Sequence, residues 1–516
     1  GATTTINVED TSSVQGDLAG INAQSNGGDI TVNTQSGTTV LGDNGSGILA
    51  AANGAGNVVV DAQGQVTSTN GASDGITAIA DSGTVQVTTG TGAITGANSG
   101  IEAIAQANTS SVTTGTGAVV GLAGDGINNT GATGATVSSN GTVTGTGGNG
   151  INAISTGNGN VSVTTNGAAG TLVSGTGGDG INAEAQATGN VDVEVHTAVT
   201  GSVNGIDANA VDGTVEVTTD TAAILGQAGN GIDATASGLV TVGTGGNVTG
   251  TGGAGINASS GGVGAVVDVE VHTAVTGSTI GIDAHSDDGT VEVTTDTAAI
   301  LGQAGNGIDA TALGGVTVGT GGNVTGTTGI GINAVAEEGN VSVTTNGAAG
   351  TLVSGTGGAG ILANANTSGN TDVEVHTAVT GSTIGIDANA TNGTVEVTTD
   401  QYAVTGQAGH GIDATASGLV TVSTGGNVTG TGGIGINAVS GTNGNVNVTT
   451  NGAAGTLISG TAGAGIFADA NVAGNTDVEV HTAVTGSTLG IDANATAGTV
   501  EVTTDTAAVT GNAGDG

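Results

Sequence analysis

The chain has 516 residues, of which 106 are glycine and none is proline, cysteine, methionine or tryptophan. It contains 42 acidic residues and neither lysine nor arginine, so its formal charge at pH 7 is −42. Because neutralising phosphate groups requires lysine or arginine, this composition excludes direct nucleic-acid binding and disfavours binding to anionic membrane surfaces. No apolar run is long enough for a transmembrane helix, so we predict no membrane insertion.

A glycine–isoleucine pair recurs from one end of the chain to the other, and the isoleucine returns every 24 to 30 residues. Repeats of this length are typical of stacked supersecondary units, none of which can bury its apolar face alone. We call each repeat a coil. The anchoring isoleucines are Ile21, Ile48, Ile76, Ile101, Ile127, Ile151, Ile181, Ile206, Ile232, Ile256, Ile282, Ile308, Ile332, Ile361, Ile386, Ile412, Ile436, Ile466 and Ile491.

Within one coil the pattern predicts three short strands and no helix. In the coil that begins at Ile206 the predicted strands are 206–210, 214–219 and 222–225, with corners at Asp212 and Asp220. Valines alternate with acids or threonines along the second strand, as expected of a half-buried strand. Equivalent residues return once per coil, which favours stacking in parallel over antiparallel hairpins. The prediction is an all-β fold: one continuous parallel β-solenoid, right-handed, with about 25 residues per coil and roughly 19 to 20 coils.

The coils fall into two stretches without a true domain boundary. Residues 1–150 form less regular coils, and residues 151–516 form nearly identical ones with a longer period. In the second stretch a three-coil block, first seen at 181–255, returns almost unchanged. Glycines at the corners are expected to supply left-handed backbone conformations. Because no capping coil is recognisable, we expect either a segment of a longer protein or end-to-end stacking of copies.

Aligning successive coils by their valines places acids of neighbouring coils side by side, with neutral coils before and after each pair. Exposed carboxylates at this spacing repel only modestly, so the pairs could serve solubility alone. They could also bind Ca²⁺, the one cofactor that the sequence suggests, because this cation prefers carboxylate oxygens. The candidate calcium ligands are Asp192 with Glu216, Asp207 with Asp233, Asp268 with Glu292, Asp283 with Asp309, Asp372 with Glu396, Asp387 with Asp413, and Asp477 with Glu501.

The same alignment sets four histidines beside aspartates of the next coil. A carboxylate next to a histidine favours its charged form, so we predict that stability or association changes between pH 5 and 7. A metal-binding or catalytic role is the less favoured alternative. The predicted pairs are His196 with Asp220, His272 with Asp296, His376 with Asp400, and His481 with Asp505.

Catalysis has little support in the sequence. No nucleophile elbow, zinc-protease motif or phosphate-binding loop is present. Two neighbouring carboxylates could act as acid and base on a polysaccharide, but here each pair recurs along the chain, whereas an active site is usually unique. We therefore predict that the protein is not an enzyme.

The repeated pattern resembles the passenger repeats of bacterial autotransporter and two-partner-secretion exoproteins. It reads Gly-Ile-Asp/Asn-Ala, then Gly-x-Val-x-Val-Thr-Thr, then Ala-Val-x-Gly and a glycine-rich return, and it covers the whole chain, most strongly 151–516. The resemblance implies a right-handed β-helix exported by a Gram-negative cell to the cell surface or the medium, as an adhesin, fibre or surface layer. The absence of cysteine fits export before folding.

Three functions of different classes follow. The favoured one is an extracellular filament or adhesin stalk whose partners are copies of itself, end to end or laterally, and surface glycans. The second is a binding module, either a calcium-loaded solenoid or an ice-binding threonine face. The outward column Ser162, Asp192, Glu216, Thr241 argues against ice binding, because acids interrupt it. The third is a solenoid enzyme acting on polysaccharide.

Overall fold

A computed structural model describes residues 2–9 and 11–516; Gly1 and Asp10 lie outside the described residues. Strands are the only regular secondary structure of the described part. The fold is an all-β parallel β-solenoid of about 20 coils, with about 26 residues and three strands per coil. These features confirm the predicted fold class. The chain forms two units, 1–261 and 262–516, each of which is described by itself.

Strands of the first unit follow one another as first, second and third strand of each coil, beginning with a second strand. They are β1 (Thr4–Val8), β2 (Ser13–Gly16), β3 (Ile21–Asn26), β4 (Ile30–Thr34), β5 (Thr39–Gly42), β6 (Ile48–Asn53), β7 (Val58–Ala62), β8 (Gln65–Ser68), β9 (Ile76–Ala80), β10 (Val85–Thr89), β11 (Ile94–Gly96), β12 (Ile101–Ala105), β13 (Ser110–Thr114), β14 (Val119–Gly121), β15 (Ile127–Gly131), β16 (Ala135–Ser139), β17 (Val143–Gly145), β18 (Ile151–Ser155), β19 (Val161–Thr165), β20 (Leu172–Gly175), β21 (Ile181–Ala185), β22 (Val191–Val195), β23 (Ala198–Gly201), β24 (Ile206–Ala210), β25 (Val215–Thr219), β26 (Ile224–Gly226), β27 (Ile232–Ala236), β28 (Val240–Thr244) and β29 (Val248–Gly250).

The next strand, β30 (Ile256–Val271), begins in the first unit and ends in the second. The remaining strands are β31 (Val275–Gly277), β32 (Ile282–Thr295), β33 (Ile300–Gly302), β34 (Ile308–Ala312), β35 (Val316–Thr320), β36 (Val324–Gly326), β37 (Ile332–Ala336), β38 (Val341–Thr345), β39 (Leu352–Gly355), β40 (Ile361–Ala365), β41 (Thr371–Val375), β42 (Ala378–Gly381), β43 (Ile386–Ala390), β44 (Val395–Thr399), β45 (Val404–Gly406), β46 (Ile412–Ala416), β47 (Val420–Thr424), β48 (Val428–Gly430), β49 (Ile436–Ser440), β50 (Val446–Thr450), β51 (Leu457–Gly460), β52 (Ile466–Ala470), β53 (Thr476–Val480), β54 (Ala483–Gly486), β55 (Ile491–Ala495), β56 (Val500–Thr504) and β57 (Val509–Gly511). In β30 and β32 the first two strands of a coil run together, because the backbone stays extended through the corner that separates them elsewhere.

Equivalent strands of successive coils pair in parallel, with like residues opposite one another. Ile181 pairs with Ile206, and Ile206 pairs in turn with Ile232. On the second strands Ser162 lies opposite Asp192, and Asp192 opposite Glu216. The predicted register is therefore confirmed at these positions, and columns of side chains run across the coils within each unit.

Alternation along each strand divides the side chains between core and surface. In the coil of β24, the side chains of Ile206, Val217 and Ile224 are at most 1% exposed, whereas Glu216, next to Val217 in the sequence, is exposed. Burying one such aliphatic side chain stabilises a fold by about 1.5–3 kcal/mol. Each coil has only a few of them, so stability accumulates coil by coil.

Most third strands need a glycine because there is no room for a side chain, and not because the backbone adopts a left-handed conformation. Positive φ angles occur at only ten described glycines, among them Gly170 and Gly350. At Gly226, by contrast, a Cβ would lie 1.9 Å from the carbonyl oxygen of Asn230. The expectation that the corner glycines serve left-handed conformations is therefore wrong for most of them. After the third strands that end in glycine the chain folds back so tightly that a carbonyl takes the place of the missing side chain; β8 ends instead in Ser68, whose hydroxyl donates to Ser73 O.

Candidate functional site: stacked acidic and histidine side chains

The predicted acid pairs on the second strands lie opposite each other in neighbouring coils. Pairing of β22 with β25, of β41 with β44 and of β53 with β56 places Asp192 opposite Glu216, Asp372 opposite Glu396 and Asp477 opposite Glu501. The fourth pair, Asp268 and Glu292, lies on β30 and β32, where Asp296 N donates to Val271 O as Asp220 N does to Val195 O. Burial, followed by the charge of a neighbouring glutamate, raises the pKa of Asp192 and of Asp268.

The aspartates of the first strands form a second, more enclosed set of pairs. Asp207 lies opposite Asp233, Asp283 opposite Asp309, and Asp387 opposite Asp413. Asp233 accepts hydrogen bonds from the amides of Asn230 and Asn257, at 3.0 and 2.7 Å. Partial burial and amide contacts distinguish this set from the pairs on the second strands.

Asp207 is the most strongly perturbed acid of this set. Its pKa is raised from 3.8 to about 7, mainly by burial and then by the charges of Asp233, Asp179 and Glu184, against a hydrogen bond from Asn204 that lowers it. Burial likewise raises the pKa of Asp387. Near neutral pH Asp207 is therefore protonated for part of the time, whereas an ordinary surface aspartate is fully ionised.

Pairing alone does not complete a metal site. Ca²⁺ takes six to eight oxygen ligands. Among residues 2–9 and 11–516, no group of three or more histidine, aspartate, glutamate or cysteine side chains is placed to hold a metal ion. Calcium binding by the predicted pairs thus stays a prediction.

Each of the four predicted histidine–aspartate pairs is a close contact in the structure. The Nδ1 atoms of His196, His272, His376 and His481 lie 2.5, 2.7, 2.6 and 2.6 Å from carboxylate oxygens of Asp220, Asp296, Asp400 and Asp505, respectively. The other ring nitrogen faces a glutamate two residues earlier on the same strand: Nε2 of His376 lies 3.2 Å from Glu374. The same second contact is made by Glu194 with His196, Glu270 with His272, and Glu479 with His481.

These glutamates were missed by the sequence analysis, although a signal was available. In Val-Glu-Val-His the glutamate and the histidine are two residues apart, so they project from the same side of the strand. We call each histidine with its glutamate and aspartate a histidine clamp. Each imidazole thus has a carboxylate beside both of its ring nitrogens.

We expect the clamp of His376 to titrate above the ordinary histidine value. Its hydrogen bond to Asp400 raises the pKa of His376 from 6.5, partial burial opposes this, and the charges of Asp400 and Glu374 add to the rise. Because the folded pKa is raised, the stabilisation is complete below pH 6.5 and is lost as the pH rises through the folded value. The transition thus lies above 6.5, towards the alkaline side of the predicted interval of pH 5 to 7.

The measurement is a titration of the histidine Cε1–H resonances by NMR. In Asp400→Asn the midpoint of His376 should fall towards 6.5, while Asp220→Asn, which alters a different clamp, should leave it unchanged. An unchanged midpoint in Asp400→Asn would mean that the contact does not hold the proton.

A ladder of polar side chains, also missed, runs along the residues that precede the glycine–isoleucine pairs. The Oδ1 atom of Asn149 accepts a hydrogen bond from Asp179 N at 2.7 Å, and that of Asp179 accepts one from Asn204 N at 2.8 Å. The ladder continues through Asn230 to Ala254 N. These bonds satisfy backbone donors at the tight return of each coil. The sequence pattern that could have predicted this ladder is the Asn or Asp that recurs directly before Gly-Ile.

Comparison of the chain with protein-family models, with curated proteins and with solved structures gives no match. In the described part of the chain, no helix is long and apolar enough to cross a membrane.

Proposed function

We propose that this chain is a structural stalk or filament segment on the outside of a bacterial cell, belonging to an adhesin-like exoprotein. The observation that supports the proposal most directly is the stacking of nearly identical coils in register within each unit. Such a fold lengthens by adding coils while its surface stays the same, since each coil contacts only its neighbours. The resemblance to exported passenger repeats and the absence of cysteine agree with this location.

The role we propose is structural and not catalytic. The histidine clamp occurs four times with the same partners, and the carboxylate pairs also recur. Chemistry at one substrate would need one such site, whereas a repeated surface suits contacts repeated along a length. Partners of this kind are copies of the chain and the glycans of other surfaces.

Electron microscopy of the purified protein tests the proposal. If all coils share one axis, particles on the order of 95 Å long are expected, because each coil adds about 4.8 Å. A variant lacking 361–435, which joins Gly360 to Ile436 and so keeps the glycine–isoleucine junction, should be shorter by roughly 14 Å. Filaments longer than one chain would support end-to-end docking.

Round particles, or an unchanged length after the deletion, would contradict the stalk. The same samples are imaged after treatment with a calcium chelator as a control. Particles that collapse on chelation would favour the calcium-loaded binding module over a stalk that stands without metal.

A further inference from the structure

One face of the second unit is free of charge although the chain carries −42. It consists of the outward residue of each third strand from β31 to β57 and the residue two positions later. The inward neighbours are a valine or isoleucine and a glycine, as the burial of β36, β42 and β48 shows. The outward positions hold Thr, Ser, Leu, Gln or Asn in every one of these strands and never Asp or Glu. We call this surface the hydroxyl face.

The hydroxyl face has two parallel columns. From Thr325 to Thr510 every coil places Thr or Ser in the first column, opposite its equivalent in the next coil. The second column contains Thr327, Thr356, Ser382, Gln407, Thr431 and their successors. Strand spacing puts neighbours in one column about 4.8 Å apart, and the two-residue step puts the columns about 6.6 Å apart. The side chains thus form a regular two-dimensional array.

Hydrogen bonds within the described part of the chain hold several side chains of the second column, among them Thr356, Ser382 and Thr461, and none of the first column. Thr356 and Thr461 donate their hydroxyl protons to the carbonyls of Thr327 and Thr431 in the preceding coil. Ser382 donates in the same way to Gly358 O at 3.3 Å. These three hydroxyl groups therefore donate their protons to the protein backbone, and their oxygen lone pairs remain available to accept hydrogen bonds from outside.

The first column holds hydroxyls without a protein partner. Ser354 is only 8% exposed, and its hydroxyl makes no hydrogen bond to any residue that the structure describes. The half-buried Thr405 and Thr429 are equally without a partner among the described residues. Such groups need hydrogen bonds from outside the chain, because an unsatisfied buried hydroxyl is costly.

We propose that the hydroxyl face binds ice. Partnerless hydroxyls at fixed spacings in two directions can hold a layer of water in the same periodic arrangement, and ice is built of such layers. Threonine methyl groups between the hydroxyls restrict the positions that water can occupy. No charged side chain on this face is present to order the water differently. The column Ser162, Asp192, Glu216, Thr241, which argued against ice binding, lies on the second strands, so its acids do not interrupt this face.

The test is the incorporation of the full chain into a slowly growing ice crystal, together with thermal hysteresis. The wild-type protein should be enriched in ice, and the double variant Thr405→Asp/Thr429→Asp should lose that enrichment by about tenfold or more, equivalent to 1.4 kcal/mol. The matched control is Thr398→Asp/Thr421→Asp, which adds the same charges to the second strands of the same two coils. Acids already stand beside those positions, as Glu374 and Glu396 do. The control should be incorporated like the wild type.

Three results would overturn the proposal: exclusion of the wild-type protein from ice, equal losses in both double variants, or a wild-type dimer that only Thr405→Asp/Thr429→Asp dissociates in sedimentation. The last would show that a second copy occupies the face. Circular dichroism of both variants verifies folding. Particle length in the microscope is independent of these outcomes, so the stalk and the ice-binding face succeed or fail separately.

Discussion

Replacing Gly226 with alanine is expected to destabilise the first unit by more than about 3 kcal/mol, because the new methyl group overlaps backbone that cannot move alone. A Cβ at this position would lie 1.9 Å from the carbonyl oxygen and 2.7 Å from the carbonyl carbon of Asn230. It would also lie 3.0 Å from the amide nitrogen of Gly205 in the preceding coil. Relieving the overlap would open the tight return and disturb the polar ladder that passes through Asn204 and Asn230.

Urea unfolding followed by circular dichroism measures the effect. Gly243→Ala is the matched control, since a Cβ there meets nothing within 4 Å and Gly243 lies opposite Thr218 in the sheet. That control should be neutral or slightly stabilising, because alanine restricts the unfolded chain more than glycine does. Equal unfolding midpoints for Gly226→Ala and Gly243→Ala would show that the return is not as tight as the structure has it.

The second large effect is expected from Asp207→Asn, which should stabilise the protein at pH 8 and have little effect at pH 3. The folded pKa of Asp207 is about 7 against an ordinary value of 3.8. Below pH 3.8 the carboxyl is protonated in both states and contributes no difference. Between these values the folded chain retains a proton that the unfolded chain has released. Above pH 7 the full cost of ionisation applies, roughly 4 kcal/mol at 1.36 kcal/mol per pKa unit.

The chain itself shows that asparagine fits this column. Asn182 and Asn257 occupy it in the coils on either side of the Asp207–Asp233 pair. The difference in urea midpoint between variant and wild type is measured at both pH values, with Asp212→Asn at an exposed corner as the control. A gain of the same size at pH 3 and pH 8 would exclude ionisation of Asp207 as its cause.

Register was predictable because the same residue types return in every coil. A parallel stack with one isoleucine column has one alignment that keeps the recurring Val and Ile of the strands inside, and shifting a strand by one residue would turn them outward. That alignment predicted the contact of His376 with Asp400 and placed Asp207 opposite Asp233, and the structure has both. Only the aspartate of each histidine clamp was predicted. The alignment compares residues of neighbouring coils, whereas Glu374 lies on the same strand as His376.

The hydroxyl face was not predictable from the sequence, because the third strands are too short to show alternation. Val428, Thr429 and Gly430 give one inward, one outward and one inward residue, which is too little for a period. Only stacking of such triplets across coils makes them a surface. The reason for the glycines was not predictable either. The carbonyl of Asn230 lies against Gly226 only because the chain folds back after the third strand, and no local sequence pattern reveals this.

The sequence by itself determined the all-β solenoid, the three strands of each coil and the columns of like residues, because a one-dimensional repeat with inward Val and Ile has a single way to bury them. Tertiary structure alone decided how far each column is buried and what surrounds it. That is why Asp207, enclosed by Asp233, Asp179 and Glu184, differs in pKa from an ordinary surface aspartate. Desolvation and close approach depend on distances between coils, and these are set by the fold and not by residue order.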